Sequence, residues 1–126
     1  MILIIGGTYQ GKLKYAACKF QLSDNDIFTC ISEQPTIDFS CRCINRLEEF
    51  TYACTLYGVD ALDYFQSHRN RWANSVLICQ DMFCGVVPLG EEMRAWRQNT
   101  GRLCQYLAGE ADQVIRIFCG LEQQLK

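Results

Sequence analysis

The sequence predicts an α/β domain with a mostly parallel sheet of four or five strands. Three observations predict it: apolar strand-like runs alternate with stretches of helical periodicity, glycines follow the first run at once, and the composition is that of a folded domain. The chain has 126 residues, 49% of them hydrophobic and 21% charged, enough apolar mass for a core and one domain's worth of chain, residues 1–126. A formal net charge of −2 gives no broad basic field, so nucleic acid and acidic membrane surfaces are not expected partners.

Met1 to Ile5 is an apolar run bounded by Gly6-Gly7, the pattern of a fully buried parallel strand. From Lys12 a helix is expected, with Leu13, Ala16, Ala17 and Phe20 at helical spacing. Ser23 to Asp26 is turn chemistry, and Ile27 to Ile31, rich in β-branched and aromatic residues, predicts a second strand that Pro35 closes off. From about Ser40, Ile44, Leu47, Phe50 and Cys54 recur at steps of three and four, and Leu62 and Phe65 continue beyond Gly58. This reads as one helix broken near Gly58, or two stacked end to end. Ser75 to Cys79 is the third strand, followed by Gln80-Asp81 and a loop through Gly85 and Pro88. Glu91 and Glu92 suit the first turn of a helix whose inward stripe is Met93, Trp96, Thr100, Leu103 and Leu107. Val114 to Cys119 is the last strand. Arg116 in its middle places it near a sheet edge or a subunit contact.

Nine cysteines, an odd number, include Cys30, Cys54, Cys79, Cys104 and Cys119 inside apolar stretches, which read as buried free thiols in a reducing cytosol. Met1 to Ile5 is too short for a secretory core, and no long apolar run predicts a membrane span. Cys41-Arg42-Cys43, the pair Cys79 and Cys84, and a single histidine do not make a zinc-ligand pattern.

The chemistry concentrates after the first strand. Gly6-Gly7-Thr8-Tyr9-Gln10-Gly11-Lys12 fits GxxxxGK between a buried strand and a helix, the context of a phosphate-binding loop. Glycines let the backbone curl so that successive amides face phosphate oxygens, Lys12 adds a point charge near the β and γ phosphates, and the helix adds its amino-terminal dipole. The expectation is a P-loop NTPase-like three-layer fold that binds GTP or ATP. The residue after the lysine, where a magnesium-ligating hydroxyl belongs, is Leu13, so magnesium-assisted transfer is expected to be weakened. Asp81, at the carboxyl end of the third strand, is the candidate catalytic acid and magnesium partner.

Two segments together resemble the bifunctional adenosylcobinamide kinase and adenosylcobinamide-phosphate guanylyltransferase family of cobalamin biosynthesis. The opening strand and Gly6 to Leu13 resemble the family's GGxxSGKS. Towards the end, Gln80-Asp81, Cys84-Gly85-Val86-Val87-Pro88, Arg97 to Gln105 and the closing strand running through Gly120 to Leu125-Lys126 follow the family's order without a gap from Ser75. The resemblance implies a nucleotide-dependent kinase with a corrinoid acceptor and a homo-oligomeric assembly. The middle departs from the family. Its guanylyl-accepting histidine lies in an RHxxxRPxxW-like segment early in the chain, whereas the one histidine here is His68, in Ser67-His68-Arg69-Asn70-Arg71-Trp72 just before the third strand. The family's additional strand ending in an acid has no counterpart in Phe50 to Leu56. Guanylyl transfer is therefore expected to be lost, with His68 the candidate acceptor if it persists. Two other readings stand beside the kinase: a non-catalytic relative acting as a binding or regulatory subunit, and a P-loop enzyme acting on another small metabolite.

Overall fold

A computed structural model describes residues 1–81 and 90–126. The Cys84 to Pro88 motif, the loop through Gly85 and Pro88, and the ninth cysteine, Cys84, lie outside the described residues. The elements in chain order are β1 (Ile2–Gly6), α1 (Lys12–Phe20), a 3-10 turn (Asp24–Asp26), β2 (Ile27–Thr29), β3 (Cys43–Asn45), α2 (Leu47–Tyr57), α3 (Ala61–Ser67), α4 (Arg69–Trp72), β4 (Val76–Gln80), α5 (Glu91–Glu110), β5 (Gln113–Phe118) and β6 (Leu121–Gln124). They form a six-stranded sheet in the order β2-β3-β4-β1-β5-β6, all parallel except β6, which pairs antiparallel with β5.

Two helical layers cover the sheet. Alternate residues of the strands face opposite sides. Ile4, Ile78, Ile115 and Ile117 bury against Ala16 of α1 on one face, while Leu3, Leu77 and Val114 bury with Phe50, Phe65, Leu103 and Leu107 of α2, α3 and α5 on the other. The three-layer α/β class expected from the sequence is therefore present. α2 and α5 are joined by a polar seam inside the apolar layer: the Thr51 and Thr100 hydroxyls stand 2.7 Å apart, and the Trp96 indole N–H donates to the Thr51 hydroxyl at 3.1 Å.

Of the two arrangements left open near Gly58, the chain takes separate helices. Gly58 adopts a left-handed φ of 70° that stops α2, and the Asp60 carboxylate accepts from the Asp63 amide at 3.2 Å to start α3. Several expectations need correction. The sheet has six strands, not four or five. The helical stretch expected from Ser40 begins with a strand, β3; Ile44 belongs to it, and Leu47 is the first helical residue. Three residues buried on both faces carry no alternation, so Ile44, three residues before the true helical start at Leu47, imitated an earlier turn of that helix. β6 was not expected at all. Cys119 and Gly120, at φ 52° and 76°, make a two-residue hairpin turn of the mirror-image type, and it folds the fully exposed Leu121–Gln124 back on β5. β5 is thus one strand in from the edge, and Cys119 is exposed at the turn, while Cys43 is a buried thiol that the sequence reading passed over. Ile31 lies beyond β2 at 47% exposure, and Met93, expected on the inward stripe of α5, is 40% exposed.

Candidate functional site

β1 delivers the glycine-rich loop to the carboxyl edge of the sheet. Gly6 is required there: a Cβ on it would stand 2.6 Å from the Ile117 carbonyl oxygen of β5. The loop then curls through left-handed residues Tyr9 (φ 60°) and Gly11 (φ 89°), and Lys12 opens α1. The Lys12 ammonium donates to the Gly7 carbonyl oxygen at 2.6 Å, so it lies across the loop. The β5–β6 turn holds the loop from outside, because the amides of Cys119 and Gly120 donate to the side-chain and backbone oxygens of Gln10 at 2.5 and 3.0 Å. The same hairpin fastens α1, with Glu122 accepting from the Tyr15 hydroxyl and pairing with Lys19 at 3.2 Å.

Beside the loop, on the β3 side, is a cavity of about 350 Å³ with Thr8, Lys12, Lys14, Asn45, Arg46 and Glu48 in its wall. It lies where the chain leaves neighbouring strands β1 and β4 in opposite directions, the crevice in which open α/β sheets gather ligands. Three cations and one carboxylate share it. Glu48, 4% exposed in the first turn of α2, accepts from the Gln80 amide at 2.9 Å and stands 3.5 Å from the Arg46 guanidinium. Burial holds the Lys12 ammonium below its ordinary pKa, and the Glu48 charge opposes that shift. Sequence reasoning missed Asn45, Arg46 and Glu48. The signal available was the acidic pair Glu48-Glu49, which marks the first turn of a helix and so places the end of a strand just before it.

Asp81 reaches the same edge, its amide donating to the Gly6 carbonyl at 2.7 Å. Its side chain lines a different cavity, of about 330 Å³, on the β5 side of the loop with Gly7, Thr8, Gln10, Arg116 and Phe118. Asp81 thus lies at the expected edge of the sheet, and the cavities lined by Asp81 and by Lys12 share Thr8 and Gln80. Arg116, on a strand second from the sheet edge, lines this cavity too.

Among the described residues, the Lys12 cavity holds one carboxylate, Glu48, as a ligand for magnesium. Leu13 lines the Lys12 cavity without an oxygen and packs on the Ile4 face of the sheet, and Glu48 is engaged by Gln80 and Arg46. Among the described residues no three His, Cys, Asp or Glu side chains gather as metal ligands.

His68 is not brought to the loop. It ends α3, its Nδ1 lies 2.6 Å from the Tyr64 carbonyl oxygen, and its ring packs 5.5 Å from that of Phe39. The adjacent Arg69 pairs at 2.7 Å with Glu110, the last residue of α5, and α4 leads directly into the start of β4. His68 is thus at the amino-end pole of the sheet, opposite Lys12. No described helix is long and apolar enough to cross a membrane.

No individual curated protein matches this chain. The model of one family, described as cobinamide kinase / cobinamide phosphate guanyltransferase, matches residues 57–125, from the end of α2 through β4, α5, β5 and β6. The loop of Gly6 to Lys12 lies before the matched span, so its geometry is a separate observation. With more than half of its residues matched, the chain belongs to the cobinamide kinase / cobinamide phosphate guanyltransferase family.

Proposed function

We propose that residues 1–126 act as one nucleotide-binding domain, that the loop of Gly6, Gly7, Thr8, Tyr9, Gln10, Gly11 and Lys12 holds the phosphates of GTP or ATP, and that the chain is a nucleotide-dependent kinase of the cobinamide type, without guanylyl transfer. Family membership supports a cobinamide kinase-like role in cobalamin biosynthesis. The observation that carries the nucleotide reading is the Lys12 ammonium lying across the curled loop at the carboxyl edge of the sheet, 2.6 Å from the Gly7 carbonyl. A phosphate entering there exchanges that carbonyl for an anionic partner, and charge-assisted contacts of this kind are about twice as strong as neutral ones. Lys14 and Arg46 add positive charge to the same cavity. Tyr9, 99% exposed at the loop tip, offers an aromatic face to whatever binds beside it.

The position of His68 supports the reading without guanylyl transfer. Covalent transfer to a histidine requires that ring beside the bound triphosphate, and His68 is at the opposite pole. Leu13 and the distribution of Asp81 and Lys12 between two cavities favour the second reading, a relative that binds nucleotide without transferring phosphate. The exposed β6, with Phe118, Leu121 and Leu125 at the surface around it, supports self-assembly as part of either reading.

Calorimetry with GTP and ATP, with and without magnesium, on the natural chain and on Lys12→Ala tests the proposal. Binding that falls about tenfold or more in Lys12→Ala supports it, since the ammonium contributes a charge-assisted contact. Equal affinity in both chains, or none in the natural chain, refutes it. Phosphate transfer to cobinamide from either nucleotide separates the kinase from the non-catalytic reading.

A further inference from the structure

β4 and α5 bring two thiols together beside the glycine-rich loop. Cys79 buries from β4 into the layer of Leu103 and Leu107, and Cys104 packs against it from α5, with the two sulfurs 3.7 Å apart. Both are free thiols, so their contact is a weak hydrogen bond. Cys79 is 1% exposed, whereas Cys104 is half-buried and lines a cavity of about 110 Å³. Ala108, one turn further along α5, is too small to fill that space, and Gln80 and Asp81 form part of its wall. The same two residues line the cavity on the β5 side of the loop. They also fasten the sheet edge there: the Gln80 amide donates to Glu48 at 2.9 Å and the Asp81 amide to the Gly6 carbonyl at 2.7 Å. Neither thiol lines the Lys12 cavity.

We propose that Cys79 and Cys104 are an oxidisable pair, closed to a disulfide by hydrogen peroxide entering on the Cys104 side, and that closure loosens the strand end that holds the loop. The cavity exceeds the space one water needs several times over, so hydrogen peroxide fits. Its hydrogen bond with Cys104 and its burial hold the Cys79 thiol well above its ordinary pKa, so Cys79 stays protonated and Cys104 reacts first. The Cys104 thiolate sulfur attacks one peroxide oxygen, the O–O bond breaks, and hydroxide leaves with the electron pair and takes up the proton that Cys104 gave up. The Cys79 sulfur then attacks the sulfur of the Cys104 sulfenic acid, the S–O bond breaks, and the oxygen departs as water with the Cys79 proton. Two thiols are oxidised to one disulfide, and one peroxide is reduced to two waters. Closure draws the sulfurs from 3.7 Å to covalent distance inside a packed layer. The strand end carrying Gln80 and Asp81 shifts with Cys79, and the bonds of their amides to Glu48 and Gly6 weaken. Thiol exchange reverses the link. Nothing in this depends on what the loop binds.

In the test, the reduced natural chain and Cys104→Ala are treated with hydrogen peroxide without ligand, digested with trypsin in the absence of reductant, and mapped by mass spectrometry. Fragment sequencing separates Cys79 from Cys84, which share a tryptic peptide. The natural chain is expected to give a link between Cys79 and Cys104 that dithiothreitol reverses, and Cys104→Ala no link at Cys79. Hydrogen exchange at the Gln80 and Asp81 amides is expected to quicken about tenfold or more on oxidation of the natural chain, and by less than about twofold in treated Cys104→Ala. Either cysteine left as a thiol or joined to a different partner, Cys104 oxidised beyond the sulfenic acid, unchanged exchange at both amides, or an equal rise in Cys104→Ala overturns the inference.

Discussion

Replacing Glu48 by alanine tests whether the Lys12 cavity is built around a buried carboxylate. Glu48 is 4% exposed, accepts the Gln80 amide at 2.9 Å and stands 3.5 Å from the Arg46 guanidinium. Alanine leaves the half-buried Gln80 amide without its acceptor, at a cost of about 1–3 kcal/mol. It also removes the anion that offsets Lys12 and Arg46, which repel each other across the cavity. Because both cations are partly open to solvent, screening limits that contribution to about 1 kcal/mol or less. Glu48→Ala is therefore expected to destabilise the fold by about 1–4 kcal/mol, a fall in Tm of roughly 4–16 °C at about 4 °C per kcal/mol. Glu48→Gln keeps an oxygen for the Gln80 amide and loses only the charge, so about 1 kcal/mol or less is expected. The loss in Glu48→Gln should be smaller when Lys12 is also replaced by Met, because the cation that Glu48 offsets is then gone. Urea and thermal unfolding of the three single variants and the Lys12→Met/Glu48→Gln double variant measure all of this. If Glu48→Ala and Glu48→Gln lower stability equally, the bond to Gln80 is not what holds the cavity wall. If Glu48→Ala unfolds within about 0.5 kcal/mol of the natural chain, the account of the buried carboxylate is wrong.

Leu13→Ser is expected to raise magnesium-dependent nucleotide affinity about tenfold or more by supplying a hydroxyl for metal and phosphate, and to lose about 1–2 kcal/mol of stability with the leucine's packing; calorimetry giving the same affinity for both chains refutes it. Gly6→Ala places a methyl 2.6 Å from the Ile117 carbonyl oxygen, so β1 and β5 must part. A loss of about 1–3 kcal/mol is expected in urea unfolding, and a neutral effect would contradict the close approach. All nine cysteines are expected as thiols in titration of the denatured chain, and a count well below nine refutes this. In the folded chain, iodoacetamide near neutral pH should label exposed Cys18 and Cys119 ahead of Cys30, Cys43 and Cys54, whose burial pushes each thiol up to about 12. Those raised values stabilise the fold fully below the ordinary thiol value of 9.0 and lose that contribution as pH rises towards 12. Together the three thiols amount to about 4 kcal/mol per pH unit in that range, so unfolding followed against pH should set in above 9, and stability unchanged up to 12 would refute the burial of these groups.

The features legible in the sequence are those decided within one contiguous stretch of chain. The run Met1 to Ile5, the glycines of the loop and the helical spacing after Lys12 fix strand, turn and helix through local sterics and periodicity, and the structure carries them as β1, the curled loop and α1. α5 was legible for the same reason, its acidic first turn and its stripe of Thr100, Leu103 and Leu107 lying within five turns of one helix. β3 was not. Three residues buried on both faces carry no alternation, and their pairing with β2 and β4 is set by contacts distant in sequence. β6 was not legible either, since its four residues are exposed and only hydrogen bonds to β5 and a left-handed turn hold them. The site divides in the same way. Lys12 and its loop can be read from seven consecutive residues, but Glu48 enters from the first turn of α2, just beyond β3, and Arg116 from β5. The order β3-β4-β1-β5 is what brings them to the two sides of the loop. Strand order is a property of which surfaces bury each other, and no local stretch of chain encodes it, so the loop belonged to the sequence and its two cavities to the tertiary structure.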